Sequence, residues 1–241
     1  MKTSVYCRAL FDQFVPRTLC ALCGQLSSER LCPGCHRDLP WLESFCSQCA
    51  EPLPNDSAER RCGRCLKSAP AFTRTLSPLR YQYPVNHLVA GIKQDGDLGL
   101  FNLARDLFIQ RHASAIAAEP PELLVPVPLH SRRERQRGYN QAEVWARLLG
   151  SQLAIAVAPR CCERRLHTPH QQGLSARDRR RNLRRAFTVK PGFRARHIAL
   201  VDDVITTGTT LDLLAQAFRR QGVERIDAWC LARTPGPANR S

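Results

Sequence analysis

Asp202 and Asp203 stand side by side in the stretch IALVDDVITTGTTL, and four threonines surround one glycine over the next seven positions. Adjacent carboxylates accept hydrogen bonds from sugar hydroxyls or help to hold a divalent cation such as Mg²⁺. The residues after them suit a different group. Gly208 lets the backbone approach a ligand closely, the threonine hydroxyls add donors, and the N–H groups of a following helix N-terminus cradle a phosphate dianion. A phosphorylated sugar is the ligand that uses both halves. An ordinary capped strand–turn–helix explains the segment less well, because paired Asp at the end of an apolar strand cost stability unless a ligand, a metal or hydrogen bonds offset them.

Cysteine supplies the second chemistry. Eight of the 12 cysteines form four Cys-x-x-Cys pairs: Cys20 and Cys23, Cys32 and Cys35, Cys46 and Cys49, Cys62 and Cys65. Each tight turn aims two thiolates at one ion, and two such knuckles complete a tetrahedral Zn site, so up to two zincs are expected. Both sequential pairing and a cross-braced arrangement, first knuckle with third and second with fourth, satisfy the spacing. All-Cys ligation leaves no open position, so the sites read as structural, stabilising a segment too poor in large apolar side chains for a core of its own. Redox use of a Cys-x-x-Cys and nucleic-acid contact through Arg60, Arg61, Arg64 and Lys67 are the competing readings. His36 beside Cys35 is a bystander where eight thiolates are available.

Arginine is the third resource. Arg132, Arg133, Arg135 and Arg137 precede Gly138, Tyr139 and Asn140, and eight Arg with one acid, Asp178, fill positions 164–185. Such clusters fit a polyanionic ligand, a solvated basic surface, or a track for single-stranded DNA. Only Tyr139 and Phe187 lie near them as stacking platforms. His130, His167 and His170 neighbour these runs and receive no catalytic role, while Cys161, Cys162 and Cys230 read as packed thiols.

The elements that would position these residues follow from periodicity. ELLVPVPL, AIAVAP, HIALVDDV and RIDAWCLA read as short buried strands. LRYQYP adds another with Tyr81 and Tyr83 on one face, and the prolines push ELLVPVPL toward a strand end or an edge. Between them, VNHLVAGIKQ, a stretch from about Leu98 to Arg111, NQAEVWARLLGSQL with Asn140 as N-cap, and LDLLAQAFRRQG ending at Gly222 read as helices. Alternating strands and helices predict an α/β fold with a mostly parallel, doubly wound sheet, whose ligands bind beyond the carboxyl ends of the strands. Asp202 and Asp203 fall at such an end.

The chain has 241 residues, with 36 Lys+Arg against 21 Asp+Glu and a net charge of +15. Its size allows one α/β domain and a small accessory module, and its charge points to anionic, phosphate-bearing partners. The expected organisation is an N-terminal helical segment over 1–18, a double zinc-ribbon module over 19–68, the α/β domain over 69–236 and a tail over 237–241. No secretion signal and no apolar run long enough to span a membrane is read in the sequence, and paired metal-type cysteines suit a reducing compartment, so a cytoplasmic location is expected.

IALVDDVITTGTT resembles the 5-phosphoribosyl-1-pyrophosphate (PRPP) motif of type I phosphoribosyltransferases. Together with VPVPLHSRRERQRGYNQAEVWARLL, HTPHQQGLSARDRRRNLRRAF and the N-terminal cysteine module, it makes the chain similar to the ComF/GntX family of competence-associated proteins. The resemblance implies a type I phosphoribosyltransferase-like fold behind a double zinc ribbon. It implies that Asp202 and Asp203 contact the ribose hydroxyls and that Thr206, Thr207, Gly208, Thr209 and Thr210 hold the 5′-phosphate, with Mg²⁺ accompanying PRPP. Arg137, Gly138 and Asn140 match the family's pyrophosphate-side pattern. Thr168, Gln171, Leu174, Arg179 and Asn182 match that of a hood closing over the site. Arg137 and Arg179 are the expected supports of transition-state charge. The family's link to natural transformation implies a role in DNA uptake, either with phosphoribosyl transfer to an acceptor the sequence does not name, or as a non-catalytic protein that engages single-stranded DNA or uptake proteins and keeps the PRPP site as a sensor.

Overall fold

The structure, a computed structural model, describes residues 18–54, 60–129, 131–164 and 186–236. Compactness divides the chain into two units, residues 1–39 and 40–241. Of the helical segment expected over 1–18, residues 1–17 lie outside the described residues and Thr18 starts a strand; the tail expected over 237–241 also lies outside them.

The first unit is built around four cysteines. Strands β1 (Thr18–Leu19) and β2 (Leu26–Ser27) pair antiparallel across a turn in which Gly24 takes a φ of 72°. Helix α1 (Pro33–Arg37) starts with Pro at its first turn, where a missing N–H is harmless, and the Cys32 thiol caps it by accepting from the Cys35 N–H at 3.4 Å. Cys20, Leu31 and Leu39 are buried, a small apolar inventory that needs a further staple.

The second unit carries another Cys-rich turn, ending in helix α2 (Gly63–Lys67), and then the α/β body. Its elements are β3 (Arg74–Leu76), β4 (Leu79–Arg80), α3 (Val85–Gln94), α4 (Leu98–Ala118), β5 (Leu123–Pro126), α5 (Ser131–Arg137), α6 (Gln141–Leu153), β6 (Ala156–Val157), β7 (Cys162–Arg164), β8 (Phe187–Val189), β9 (His197–Ile205), α7 (Thr209–Arg219) and β10 (Arg225–Arg233). The sheet runs in the order β3-β10-β9-β5-β6, β4 also pairs with β10, and every pairing in it is parallel. The expected parallel α/β sheet is therefore present. Central strands β9 and β10 read as near-continuous apolar runs because helices cover both faces: Ile198 to Val201 and Ile226 to Ala232 are all buried.

Three elements differ from the sequence reading. Helix α4 continues past Arg111 to Ala118, because buried His112 and Ile116 extend its inward stripe. The AIAVAP strand shrinks to Ala156–Val157 on the sheet edge, and Pro159, with no N–H for a ladder, follows its end. Tyr81 and Tyr83 do not share a strand face: β4 stops at Arg80, and the chain turns through them into α3.

Candidate functional site

Strand order sets the position of the site. From β5 the chain passes through α6 to β6 on one side, whereas from β9 it passes through α7 to β10 on the other. The switch point thus lies between β5 and β9, where crevices of doubly wound sheets open. Strand β5 ends with Pro126 opposite Val201, and the Val127 N–H to Val201 carbonyl bond at 2.9 Å follows it. Strand β9 runs on through Asp202 and Asp203 beside β10, so the carboxylate pair emerges next to the place where its other neighbour has stopped.

The loop after β9 is the expected strand–turn–helix. Gly208 caps α7 with a φ of 78°, a left-handed conformation that a side chain disfavours, and Asp212 donates its N–H to the Gly208 carbonyl at 2.9 Å. A Cβ on residue 208 would meet nothing closer than Ile205 Cδ1 at 3.6 Å, so conformation rather than crowding selects glycine. Thr206, Thr207 and Thr209 are exposed, and the Thr207 and Thr209 hydroxyls share a hydrogen bond of 2.9 Å. The arrangement places exposed hydroxyls beside a helix N-terminus, the kind of setting that suits an anionic group.

The carboxylate pair carries more negative charge than its one ammonium neutralises. Burial, followed by the charge of Asp203, raises the Asp202 carboxyl well above its ordinary value, and Lys93 opposes the shift. Lys93, on α3, places Nζ 2.5 Å from Asp203 Oδ2, while the Asp203 N–H donates to Asp202 Oδ1 at 2.9 Å. Two part-buried carboxylates with one ammonium fit a further positive or hydrogen-bond-donating ligand, which is the donor set that Mg²⁺ or sugar hydroxyls require.

On the β5 side, α5 leads into Gly138 at a φ of 83° and Asn140, which caps α6 by accepting from the Ala142 N–H at 3.0 Å and ties back to the Val127 carbonyl at 3.1 Å. Arg137 folds onto Gln141 Oε1 at 2.6 Å, and the Tyr139 hydroxyl donates to the Ile92 carbonyl at 2.5 Å, next in sequence to Lys93. Helix α3 thus joins the Arg137–Asn140 loop to the carboxylate pair. Arg164, at the end of β7, packs 5.7 Å over the Phe187 ring; burial and Arg133 lower its pKa, and Asp202 raises it. A cleft of about 470 Å³ opens between the end of β5, the start of α6 and the β7–β8 hairpin, with Glu134, Glu143 and Glu163 facing Arg160, Arg164 and Lys190. Thr168, Gln171, Leu174, Arg179 and Asn182, and His130, His167 and His170, lie outside the described residues.

The cysteines gather sequentially: Cys20, Cys23, Cys32 and Cys35 in one cluster, Cys46, Cys49, Cys62 and Cys65 in another, with the ligand atoms of each within 4.8 Å of one another. Sequential pairing, one of the two schemes the spacing allows, is the one the fold adopts. In the second cluster the hydrogen bond with Cys49 pulls Cys46 down to about 4, and the same bond, with burial, pushes Cys49 up. Four sulfurs within 4.8 Å of one another, with no carboxylate among them, form the donor set of a structural zinc, which would hold all four as thiolates.

This second cluster belongs to the α/β unit. Gln48 donates to the Pro70 and Phe72 carbonyls at 3.3 and 3.2 Å, and the Thr75 hydroxyl to the Gln48 carbonyl at 2.8 Å. Arg233, 1% exposed, donates to the carbonyls of Cys49 at 3.1 Å, Ile205 at 3.2 Å, Thr206 and Thr234, and pairs with Glu51. Arg64 on α2 donates to the Thr207 carbonyl at 2.8 Å.

Lys93, Arg233 and Glu51 were not legible as site residues. Lys93 is the one lysine in its helix and Arg233 ends an apolar strand, signals that many surface residues share.

Residues 10–66 match the double zinc ribbon domain model, and residues 144–241 match the phosphoribosyl transferase domain model. Competence protein F of Haemophilus influenzae is 36% identical over 214 residues, covering 86% of this chain and 92% of that protein. The DNA utilization protein YhgH of Salmonella typhimurium is 35% identical over 222 residues, 90% of this chain and 97% of that one. Competence protein ComFC of Bacillus subtilis is 25% identical over 230 residues, covering 90% and 88%. Among solved structures, orotate phosphoribosyltransferase from Aeropyrum pernix is similar at 17% identity and a TM-score of 0.34 over 58% of this chain and 63% of that chain. Likeness at a third of all positions, held along nearly the whole of both chains, means that the protein belongs to the ComF/GntX family of competence proteins, here a double zinc ribbon joined to a phosphoribosyltransferase domain.

Proposed function

We propose that the protein binds PRPP at Asp202–Thr210 and acts in the cytoplasm in the uptake or use of external DNA. One observation supports the ligand reading: a carboxylate pair ends β9 at the switch point of the sheet, and a glycine-capped helix N-terminus follows it within a few residues. In this reading Asp202 and Asp203 accept from the ribose hydroxyls, and Thr206, Thr207, Gly208, Thr209 and Thr210 surround the 5′-phosphate. Mg²⁺ held with PRPP beside the two carboxylates would neutralise part of the pyrophosphate charge. In the same reading the loop of Arg137, Gly138 and Asn140 takes the pyrophosphate side, Asn140 by shaping the loop through its cap on α6, and Thr168, Gln171, Arg179 and Asn182 serve as the hood. Lys93 adds to the earlier residues: its ammonium lies 2.5 Å from Asp203 Oδ2, so a phosphorylated sugar bound at the carboxylate pair would meet its positive charge there.

The role in DNA use is drawn from the names of the relatives, a competence protein and a DNA utilization protein. If a phosphoribosyl group is transferred, the cleft of about 470 Å³ beside Arg164 is where an acceptor enters, with Arg137 and Arg179 supporting the charge that develops on pyrophosphate. A stacking track for single-stranded DNA is weakly equipped: the Tyr139 hydroxyl is tied to Ile92 and Phe187 is 5% exposed under Arg164. Contact of DNA phosphates with the arginines is the form the non-catalytic alternative takes, and its affinity would fall steeply with salt.

Calorimetric titration of the zinc-loaded protein with PRPP and Mg²⁺, alone and with a short single-stranded DNA, tests the reading. Saturable binding that disappears in the Asp202→Ala, Asp203→Ala double variant is the expected result. Unchanged affinity in that variant sinks the site, and a shift of PRPP affinity with DNA shows that the two ligands are coupled.

A further inference from the structure

A phosphate loop works by aiming backbone N–H groups into the crevice, and something must hold the opposite side of each peptide. In a trans peptide the carbonyl of one residue and the N–H of the next point in opposite directions, so fixing the first fixes the second. Three consecutive carbonyls at the strand-to-loop junction accept from arginines on the side of the second cysteine cluster, the first of them, Ile205, also from the Thr234 N–H at 2.9 Å. Arg233 takes Ile205 at 3.2 Å and Thr206, and Arg64 takes Thr207 at 2.8 Å. The N–H groups of Thr206, Thr207 and Gly208 are thereby directed away from that cluster.

Both arginines depend on the cysteine turn. Arg64 lies within the helix that joins Cys62 to Cys65, and Arg233 is anchored on the Cys49 carbonyl and on Glu51, two residues beyond Cys49. The turn also reaches the helix behind the loop, since the Ala71 N–H donates to Asp212 Oδ1 at 2.7 Å and Gln48 holds Pro70 and Phe72 on the same segment. A zinc site serving only local stability would not need to clamp the backbone of a ligand loop more than a hundred residues away in sequence.

We propose that the second four-cysteine cluster is a positioning part of the phosphate site, with Arg64 and Arg233 as the residues that transmit it. Filling of Cys46, Cys49, Cys62 and Cys65 then strengthens PRPP binding at Asp202–Thr210, and by linkage PRPP strengthens metal retention by the same factor. The inference rests on the PRPP reading of the loop.

The test uses the full chain and two readouts. In calorimetry with PRPP and Mg²⁺, Arg64→Ala binds roughly 3- to 10-fold more weakly than the parent chain, the span of one hydrogen bond. Arg64→Lys, which keeps a donor, recovers most of the loss, and both variants retain two zincs by metal analysis. In the second readout, zinc release to a chromogenic chelator is followed in a Cys23→Ser variant, which disables the first cluster so that the second is observed. PRPP with Mg²⁺ slows that release, and adding Arg64→Ala abolishes the slowing. PRPP binding of normal strength in Arg64→Ala, together with release that ignores PRPP, would overturn the coupling and leave the PRPP site standing. No PRPP binding by the parent chain would overturn both.

Discussion

Replacing Arg233 by Met separates the charge of this residue from its bulk. The side chain is 1% exposed and its donors meet four carbonyls and the Glu51 carboxylate, itself 13% exposed. Met fills much of the volume but strips the guanidinium from Glu51, which keeps the Gly236 N–H, and from the carbonyls of Cys49 and Thr206. Removing one member of a buried ion pair typically destabilises by about 3–5 kcal/mol, mainly through the charge left behind. For a unit of this size that corresponds to a fall in Tm of roughly 6–20 °C. The size of the effect makes a second variant decisive. Glu51→Gln removes the carboxylate charge that Arg233 had faced, so the Arg233→Met, Glu51→Gln pair should be more stable than Arg233→Met alone, with a coupling of about 0.5–3 kcal/mol. Urea unfolding in zinc-buffered solution, followed by the fluorescence of buried Trp145 and Trp229, measures all three. A loss below about 1 kcal/mol in Arg233→Met, or a double variant no better than the sum of the singles, would refute the buried-pair argument.

Asp202→Asn should bind PRPP far more weakly and yet be more stable, by about 1 kcal/mol near neutral pH. The sign follows from the raised carboxyl: stability from this group is full below its ordinary value of 3.8 and is lost as pH rises through the higher folded value, and Asn cannot ionise. Melting curves of the two proteins should therefore diverge with rising pH and converge toward 3.8; a destabilised Asn variant at pH 8 would contradict the burial argument. Lys93→Met leaves Asp203 without its ammonium and should weaken PRPP binding about 10-fold, read by calorimetry, and unchanged affinity would remove Lys93 from the site. Metal analysis of protein purified without chelators should give about two zincs per chain, and Cys49→Ser should remove one; neither cluster holding zinc would refute the ribbon. Gly208→Ala has room for its Cβ but not the backbone, and should cost about 1–2 kcal/mol and weaken PRPP binding, whereas wild-type behaviour would show that the left-handed turn is not required.

The parts of this molecule that were legible in the sequence are those set by local chemistry. Val201, Asp202 and Gly208 announce a buried strand, a polar end and a helix start, because apolar runs, adjacent acids and glycine each restrict the chain over a few residues. Asn140 reads as a cap for the same reason, and its side chain does cap α6. Each Cys-x-x-Cys turn is a local ligand pair. Which pairs meet, and what they pack against, depends on contacts far apart in the chain, and periodicity carries nothing about those. Lys93 meets Asp203 across 110 positions, and Arg64 meets Thr207 across 143.

The same distinction bears on how the two halves of the cysteine module work. Spacing alone makes the four knuckles equivalent, yet the compact units divide after Leu39, leaving the second cluster packed with the α/β body. Its cysteines are all buried, whereas in the first cluster Cys23 is exposed and Cys32 and Cys35 are half-buried. Two ligand sets of equal chemistry thus sit in unequal surroundings. Exposed thiolates exchange metal and oxidise more readily than buried ones. Metal should therefore leave the first cluster before the second, and PRPP binding, if the proposed site is braced by the second cluster through Arg233 and Arg64, should outlast that first loss. Stepwise chelation with PRPP affinity measured at each zinc content tests this directly. Affinity that holds between two zincs and one, then collapses between one and none, is the expected course; a collapse on loss of the first zinc would place the brace in the wrong cluster.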